Sequence, residues 1–123
     1  MLTPIQQQIT FFPCRDIDAT HEFYTEVMGL QMVLDQGACR IYQTTTTAFV
    51  GFCSSAEAIS SAGVILTVIT EDVEGWAQSI ADKGWPIEVQ PRVNERFNIL
   101  QCFVRDPDGH LLEIQRFLHP FPG

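Results

Sequence analysis

One acidic residue, Glu113, lies inside an apolar segment and is the first candidate for chemistry. Two leucines precede it and an isoleucine follows it. A buried carboxylate without a partner costs several kcal/mol, so such a residue usually has a specific role or a specific partner. Two roles are open to it: accepting hydrogen bonds from a ligand, or acting as a general base. The structural alternative is an ion pair with an arginine, such as Arg40 or Arg96.

The three histidines, His21, His110 and His119, form no evident site with Glu113. His110 precedes Glu113 by three positions, and an odd separation places the two on opposite faces of a strand. His119 has the matching parity but follows Glu113 by six positions, roughly 20 Å at the rise of a strand. His21 falls in a predicted helix. We therefore expect surface or turn positions for all three.

The four cysteines are Cys14, Cys39, Cys53 and Cys102, and no two of them form a Cys-x-x-Cys pair. This spacing disfavours a structural zinc site. Each cysteine lies in an apolar stretch, which favours buried free thiols. A disulfide or a reactive thiol is the alternative.

The apolar pattern predicts eight strands and two helices. Asp16 is expected to begin the first helix and Gly29 to end it, and Asp72 and Gly84 do the same for the second. The segment Asp-Pro-Asp-Gly at 106–109 is a strong turn signal. The predicted strands are 5–14, 31–35, 38–43, 46–53, 64–70, 86–90, 98–105 and 110–117.

The order of one strand, one helix and three strands occurs twice, which indicates one unit present in two copies. Module one is predicted at about 5–53 and module two at about 63–119, with a linker at about 54–62. The predicted fold class is α+β, with two β-α-β-β-β modules in a single domain, 1–123. The alternative is one sheet without internal symmetry.

Composition excludes several classes of protein. The chain has 123 residues, of which 46% are hydrophobic and 18% charged, and a formal net charge of −8 with only 7 Lys and Arg. Nucleic-acid binding needs clustered cations, and so does an anionic membrane surface, so neither partner is expected. No apolar run approaches the roughly 20 residues of a membrane span, and the N-terminus has no signal-peptide pattern. We therefore expect a cytoplasmic protein.

Two segments resemble the glyoxalase / bleomycin-resistance / extradiol-dioxygenase superfamily, also called vicinal-oxygen-chelate proteins. Residues 15–24, followed by Val-Met-Gly-Leu at 27–30, are similar to the family's first strand end, helix and helix stop. Residues 106–113 are similar to its Asp-Pro-Asp-Gly turn and the last strand that carries an acidic metal ligand. The resemblance implies that the two modules form a curled mixed sheet around a cleft.

The same resemblance implies a divalent metal held by a His on the first strand, a His on the fifth and a Glu on the last. Glu113 matches the acidic position, but Ile9 and Ile65 stand at the two histidine positions. Isoleucine cannot bind a metal, so a divalent metal is disfavoured and no cofactor is expected. The adjacent residues are also poor transition-metal ligands: Gln8, Thr10, Val64 and Leu66.

The resemblance also implies which residues line the cleft, with Glu113 as the candidate catalytic residue. The same-face neighbours of the three ligand positions make up a mostly apolar lining. The alternative for the apolar members is simple core packing. The polar loop 92–98 is expected to bring Arg96 or Asn98 to a ligand, unless it is an ordinary solvated loop. The candidate ligand-binding residues are Ile9, Phe11, Ile65, Thr67, Arg96, Asn98, Leu111 and Gln115.

Three functions remain open. The first is a metal-free protein that binds a small organic molecule, which the two isoleucines favour. The second is a lyase, isomerase or dioxygenase of the same superfamily with a rearranged metal site, or a metal-free enzyme that uses Glu113. The third is a non-catalytic interaction protein. Single-domain relatives usually form homodimers, so a homodimer is expected.

Overall fold

The computed structural model describes all 123 residues and consists of two units, Met1–Ser60 and Ser61–Gly123. Each unit contains one β-α-β-β-β module, and the boundary between them falls in the predicted linker. The α+β prediction is confirmed, with two separate four-stranded mixed sheets. The prediction that the two modules form a single domain stays a prediction.

Module one orders its strands β1-β4-β3-β2, with β1 parallel to β4 and the other pairs antiparallel. Its helical segment consists of a short α-helix that continues directly as one π-helical turn. The elements, in chain order, are β1 (Gln8–Cys14), α1 (Ile17–Glu22), the π-helical turn (Phe23–Val27), β2 (Gln31–Asp35), β3 (Cys39–Thr45) and β4 (Ala48–Ser54).

Module two repeats this arrangement, with the strand order β5-β8-β7-β6. Here β5 is parallel to β8, and β8-β7-β6 run antiparallel. The elements are β5 (Ile65–Ile69), α2 (Val73–Asp82), β6 (Val89–Asn94), β7 (Ile99–Arg105) and β8 (Leu111–Phe117).

Both helices begin where the sequence predicts, because an aspartate caps each one. The Asp16 carboxylate accepts hydrogen bonds from the backbone N–H groups of Asp18 and Ala19, at 3.0 and 3.2 Å. The Asp72 carboxylate accepts one from Gly75 N–H at 3.0 Å. These bonds satisfy backbone donors that have no partner inside the helix.

The core of module one lies between its helical segment and one face of its sheet. Tyr24 stacks on Phe52 with ring centroids 4.3 Å apart, and Tyr42 packs against both. All three are almost completely buried. Burial is also the principal reason that the pKa of Tyr42 is raised, and the same hydroxyl hydrogen-bonds His21 Nδ1 at 2.8 Å. His21 therefore anchors α1 to β3.

The core of module two lies between α2 and one face of the module-two sheet. The cleft described below lies on the other face of this sheet. Alternate residues of β7 and β8, such as Cys102 and Ile114, face this core and are completely buried. The intervening residues face the other side of the sheet. This alternation, the normal consequence of the pleat, fixes which side chains can line a cleft on module two.

The segment between β6 and β7 differs from the predicted loop 92–98. Arg92, Val93 and Asn94 belong to β6 and pair with Gln101, Leu100 and Ile99 of β7, so only residues 95–98 form the turn. Asn98 takes φ 54°, which asparagine tolerates better than most residues. The polar composition of 92–94 is explained by an edge strand, where one side of the backbone is unpaired.

Cys39 and Cys53 form a disulfide, which corrects the expectation of four free thiols. They lie directly opposite each other on antiparallel β3 and β4, with their Cα atoms 4.1 Å apart. This pairing depends on strand register, which cysteine spacing alone does not show. The prediction of buried thiols is confirmed for Cys14 and Cys102, which are buried and form no disulfide. Burial raises the pKa of the Cys102 thiol to about 11, so it stays protonated and unreactive at neutral pH.

We expect protein purified without reductant to present two titratable thiols per chain after denaturation, and four after reduction. A colorimetric thiol assay in guanidinium, before and after reduction, measures both numbers. The double variant Cys39→Ser/Cys53→Ser is the control and gives two in either case. Four thiols in the unreduced parent protein contradict the assigned disulfide.

None of the chain's helices has the length and apolar character needed to cross a lipid bilayer.

Candidate functional site

A cleft of about 490 Å³ lies on the open face of the module-two sheet. Alternate residues of β7 and β8 form its floor, and the turn after β6 and the chain after β8 form its sides. Its size suits a small organic molecule. The lining residues are Ile65, Asn94, Phe97, Ile99, Gln101, Phe103, Glu113, Gln115, Phe117 and His119.

Glu113 lies on the floor of this cleft and is only 7% exposed. Thr67, directly opposite on β5, donates its hydroxyl to Glu113 Oε1 at 2.8 Å. No arginine or lysine forms an ion pair with the carboxylate. Arg96 lies against the ring of Phe97, so the alternative of an Arg96–Glu113 ion pair is wrong. Arg40 pairs with Asp18 inside module one.

Two amides accompany the carboxylate. Gln101 and Gln115 are directly opposite each other on β7 and β8 and are 7% and 8% exposed. Each amide provides both donors and an acceptor. The sequence analysis identified Gln115 but missed Gln101. Gln101 lies between Ile99 and Phe103 on the same face of β7, two positions from each. The floor therefore combines one negative charge with two adaptable polar groups.

Aromatic side chains form much of the remaining lining. Phe103 lies opposite Glu113 in the β7–β8 register, and Phe97 and Phe117 also line the cleft. Phe121 of the C-terminal segment stacks on Phe117, with centroids 4.0 Å apart and planes 9° apart. This stacking holds residues 118–121 beside the cleft, so the end of the chain contributes to its wall.

His119 lines the same cleft as Glu113, although the sequence analysis found no evident site that joins the two. The distance of roughly 20 Å assumed a continuous strand, whereas β8 ends at Phe117 and the chain then bends. His119 is exposed, and its ring is 5.4 Å from that of Phe117. His110, expected at a surface or turn position, directly follows the turn before β8 and is 1% exposed.

The candidate ligand-binding residues divide between the two units. Ile65, Gln115 and Glu113 line the cleft, Thr67 reaches it through its hydrogen bond, and Leu111 lies beside Ile65 in register. A second group lies on module one.

Ile9 and Phe11 share one face of the module-one sheet, where they are 42% and 52% exposed. The ring of Phe11 lies over Gly51, a position at which any larger side chain would collide with it. Arg96 and Asn98 belong to the turn beside the cleft but are not among its lining residues. The turn contributes Phe97 to the lining, and the preceding strand contributes Asn94. The ligand contacts of all eight candidate residues, and the catalytic role of Glu113, stay predictions.

The donor set of the cleft does not fit the metal site that the resemblance implies. Ile65, at one expected histidine position, points an aliphatic side chain into the cleft beside Glu113. The one group of three convergent His, Cys, Asp or Glu donors lies elsewhere, at Asp106, Asp108 and His110. There Asp106 Oδ1 accepts the backbone N–H groups of Asp108 and His110, and His110 Nδ1 contacts Ser61 Oγ at 2.5 Å. These bonds build the turn before β8.

Comparison with known proteins identifies the family. The model of the Glyoxalase/Bleomycin resistance protein/Dioxygenase superfamily matches residues 6–114. The chain belongs to this superfamily. The resemblance drawn from residues 15–30 and 106–113 is therefore confirmed.

Two members of the glyoxalase superfamily illustrate the range of similarity. Lactoylglutathione lyase GLX1 of Arabidopsis thaliana is 28% identical over 123 residues, covering 87% of this chain and 43% of its own. The chain thus spans less than half the length of that relative. The crystal structure of a glyoxalase/bleomycin resistance protein/dioxygenase from Nocardioides has a TM-score of 0.79 at 16% identity, covering 100% of this chain and 90% of that one.

A third comparison is with the crystal structure of lactoylglutathione lyase from Agrobacterium tumefaciens. Its TM-score is 0.73 at 20% identity, covering 92% of this chain and 94% of that one. At such identities these structures establish the shared glyoxalase-superfamily fold, and function must be argued from the cleft itself.

Proposed function

We propose that this protein binds a small organic molecule in the module-two cleft, without the metal that is usual in its superfamily. The observation that carries the proposal is a cleft of about 490 Å³ with aromatic and aliphatic walls and a buried carboxylate, Glu113, on its floor. Mostly apolar pockets with a few placed polar groups are typical small-molecule sites.

The polar groups support binding rather than simple core packing. Glu113, Gln101 and Gln115 are each more than nine-tenths buried, yet all three line the cleft. Buried polar groups are costly unless they have partners. A ligand that fills the cleft supplies those partners, and its apolar body covers the aromatic walls.

Metal analysis and ligand analysis of one sample test this proposal. Untagged protein prepared without chelators is examined by elemental and native mass spectrometry, with Glu113→Gln alongside. We expect far less than one metal per chain in both proteins, and an organic adduct in the parent that is depleted in the variant. About one transition metal per chain in the parent, lost in Glu113→Gln, contradicts the metal-free proposal.

The second candidate is a metal-dependent lyase, and the 28% identity to lactoylglutathione lyase GLX1 favours it. In a metal-dependent lyase Glu113 would be the metal ligand, because it is the one residue here that matches a metal-ligand position of the superfamily. Formation of lactoylglutathione in the presence of added Zn²⁺ or Ni²⁺ measures this activity directly. Activity abolished by Glu113→Gln would replace the binding proposal with a catalytic one.

Cytoplasmic location and a homodimer belong to the same proposal. The large apolar side chains exposed on the single chain, among them Ile9, Phe11 and Ile69, support association with a second copy. Light scattering coupled to gel filtration gives the mass directly. We expect about twice the 13.9 kDa of one chain, and a monomer at all concentrations contradicts it.

A further inference from the structure

We infer that the cleft selects an aromatic cation, meaning a planar ring that carries an amine or amidine. Glu113 is its counter-ion, and His119 is a second hydrogen-bond acceptor at the rim. This inference rests on the proposed function, because it assigns a chemical class to the ligand of the same cleft.

The carboxylate of Glu113 loses contact with water when a ligand fills the cleft. Thr67 is the one side chain that donates to Glu113, and it contacts Oε1. In the open cleft, water completes the solvation of the carboxylate. A ligand that displaces this water must replace its hydrogen bonds, or it leaves a buried charge unpaired. A neutral apolar ligand cannot do so, and an anion adds repulsion.

The arginines near the cleft have other partners or lie outside its lining. Arg105 is engaged by Glu88 with Nε–Oε1 at 3.1 Å, and Arg96 lies over Phe97 with its guanidinium carbon 5.0 Å from the ring centroid. Arg92 is opposite Gln101 on edge strand β6 and is absent from the cleft lining. No basic side chain on the floor competes with a cationic ligand for Glu113.

The aromatic walls of the cleft favour a planar ring in the body of the ligand. Phe97, Phe103 and Phe117 present aromatic surfaces to the cleft, and Phe103 is the cross-strand neighbour of Glu113. Aromatic faces favour planar rings by stacking and favour cations through the ring quadrupole. An aliphatic cation gains only part of this stabilisation. The walls and the floor together therefore favour a ring and a charge in one molecule.

One ring nitrogen of His119 already forms a hydrogen bond within the chain. Its Nδ1 is 2.9 Å from the backbone oxygen of Pro120. A carbonyl oxygen only accepts hydrogen bonds, so Nδ1 carries the proton and the neutral ring keeps a lone pair on Nε2. Glu113 is buried and His119 is exposed, so a ligand held by its charge at the floor presents its far end to His119.

Three isosteric probes test the ligand class: 2-naphthamidine, which is cationic, 2-naphthamide, which is neutral, and 2-naphthoate, which is anionic. Isothermal titration on the full chain measures the three affinities. We expect 2-naphthamidine to bind at least about tenfold more tightly than 2-naphthamide, because charge-assisted hydrogen bonds are roughly twice as strong as neutral ones. We expect 2-naphthoate to bind least.

The outcomes separate this inference from the proposed function. Equal or tighter binding of the amide or the carboxylate overturns the cation assignment and leaves a small-molecule site standing. Binding of none of the three contradicts both. Tight binding of 2-naphthoate that is lost in Arg92→Gln would assign the site to anions instead.

A second pair of probes tests His119. We expect 6-hydroxy-2-naphthamidine to bind about three- to tenfold more tightly than its 6-methoxy analogue, as one added hydrogen bond allows. The variant His119→Gln places an amide near the position of Nε2 and keeps the gain, whereas His119→Asn places it near Nδ1 and loses the gain. Because His119 is exposed, neither change threatens folding. If His119→Asn still binds the 6-hydroxy probe more tightly than the 6-methoxy probe by the same factor, the role of His119 is overturned.

Discussion

Replacing Glu113 with glutamine lowers the affinity for 2-naphthamidine about 30-fold or more. Removing one member of a buried, hydrogen-bonded charge pair costs about 2–5 kcal/mol, and each 1.4 kcal/mol is tenfold in affinity. The carboxylate is 7% exposed, so solvent screens such a pair much less than a surface pair. Isothermal titration of parent and variant measures the change.

This change in affinity is separable from a change in stability. Glutamine keeps the volume of Glu113 and an oxygen that accepts the hydroxyl of Thr67, so we expect the free energy of unfolding to change by about 1 kcal/mol or less. Glu74→Gln is the matched control, since it removes the same charge from the exposed first turn of α2. Equal losses of affinity in the two variants would show a general charge effect and contradict a specific role for Glu113.

Replacing Phe52 with alanine is expected to lower the free energy of unfolding by about 3–5 kcal/mol, as for other buried phenylalanines. Phe52 is 0% exposed and lies at the centre of the module-one core. Its ring stacks on Tyr24 at 4.3 Å and contacts the rings of Phe12 and Tyr42 at centroid distances of 5.9 and 6.1 Å. Truncation removes these contacts and leaves a cavity. Urea unfolding monitored by circular dichroism measures the loss.

Phe49 provides the control for this prediction. It lies on the same strand as Phe52 but has the opposite parity, so it faces the other side of the sheet and is only half-buried. We expect Phe49→Ala to cost much less than Phe52→Ala. Similar costs for the two variants would contradict the assignment of the core to the helix-facing side of module one.

The features that depend on local sequence were predictable. Asp16 and Asp72 cap their helices through hydrogen bonds to residues two or three positions away, so the signal lies within a few residues. The family resemblance placed Glu113 and Ile65 at positions that line the cleft, and strand parity, which follows from local order, placed Gln115 on the same face as Glu113. The repeated module was visible because both copies keep the same order of elements.

The features that depend on register between strands were not predictable. The Cys39–Cys53 disulfide and the Gln101–Gln115 pair each join residues on adjacent strands whose alignment the sequence does not state. The strand predicted at 86–90 ended four residues before the observed end of β6 at Asn94, because polar residues on an edge strand resemble a loop.

The position of His119 was missed for a different reason. Parity and strand rise describe a residue only while the strand continues, and β8 ends at Phe117. The bend that follows, and the stacking of Phe121 on Phe117, bring the C-terminal segment back to the cleft. A histidine that is distant along an ideal strand thus lines the same cleft as Glu113.

The most direct test of the central claim, that the module-two cleft binds a small organic molecule, is a nuclear magnetic resonance titration with 2-naphthamidine. The side-chain amides of Gln101 and Gln115 and the methyl groups of Ile65 and Ile99 report on the cleft, and those of Val50 and Ile41 report on module one. We predict saturable shifts in the cleft signals and little change in the module-one signals. Unchanged cleft signals at saturating probe, or shifts confined to module one, would contradict the account.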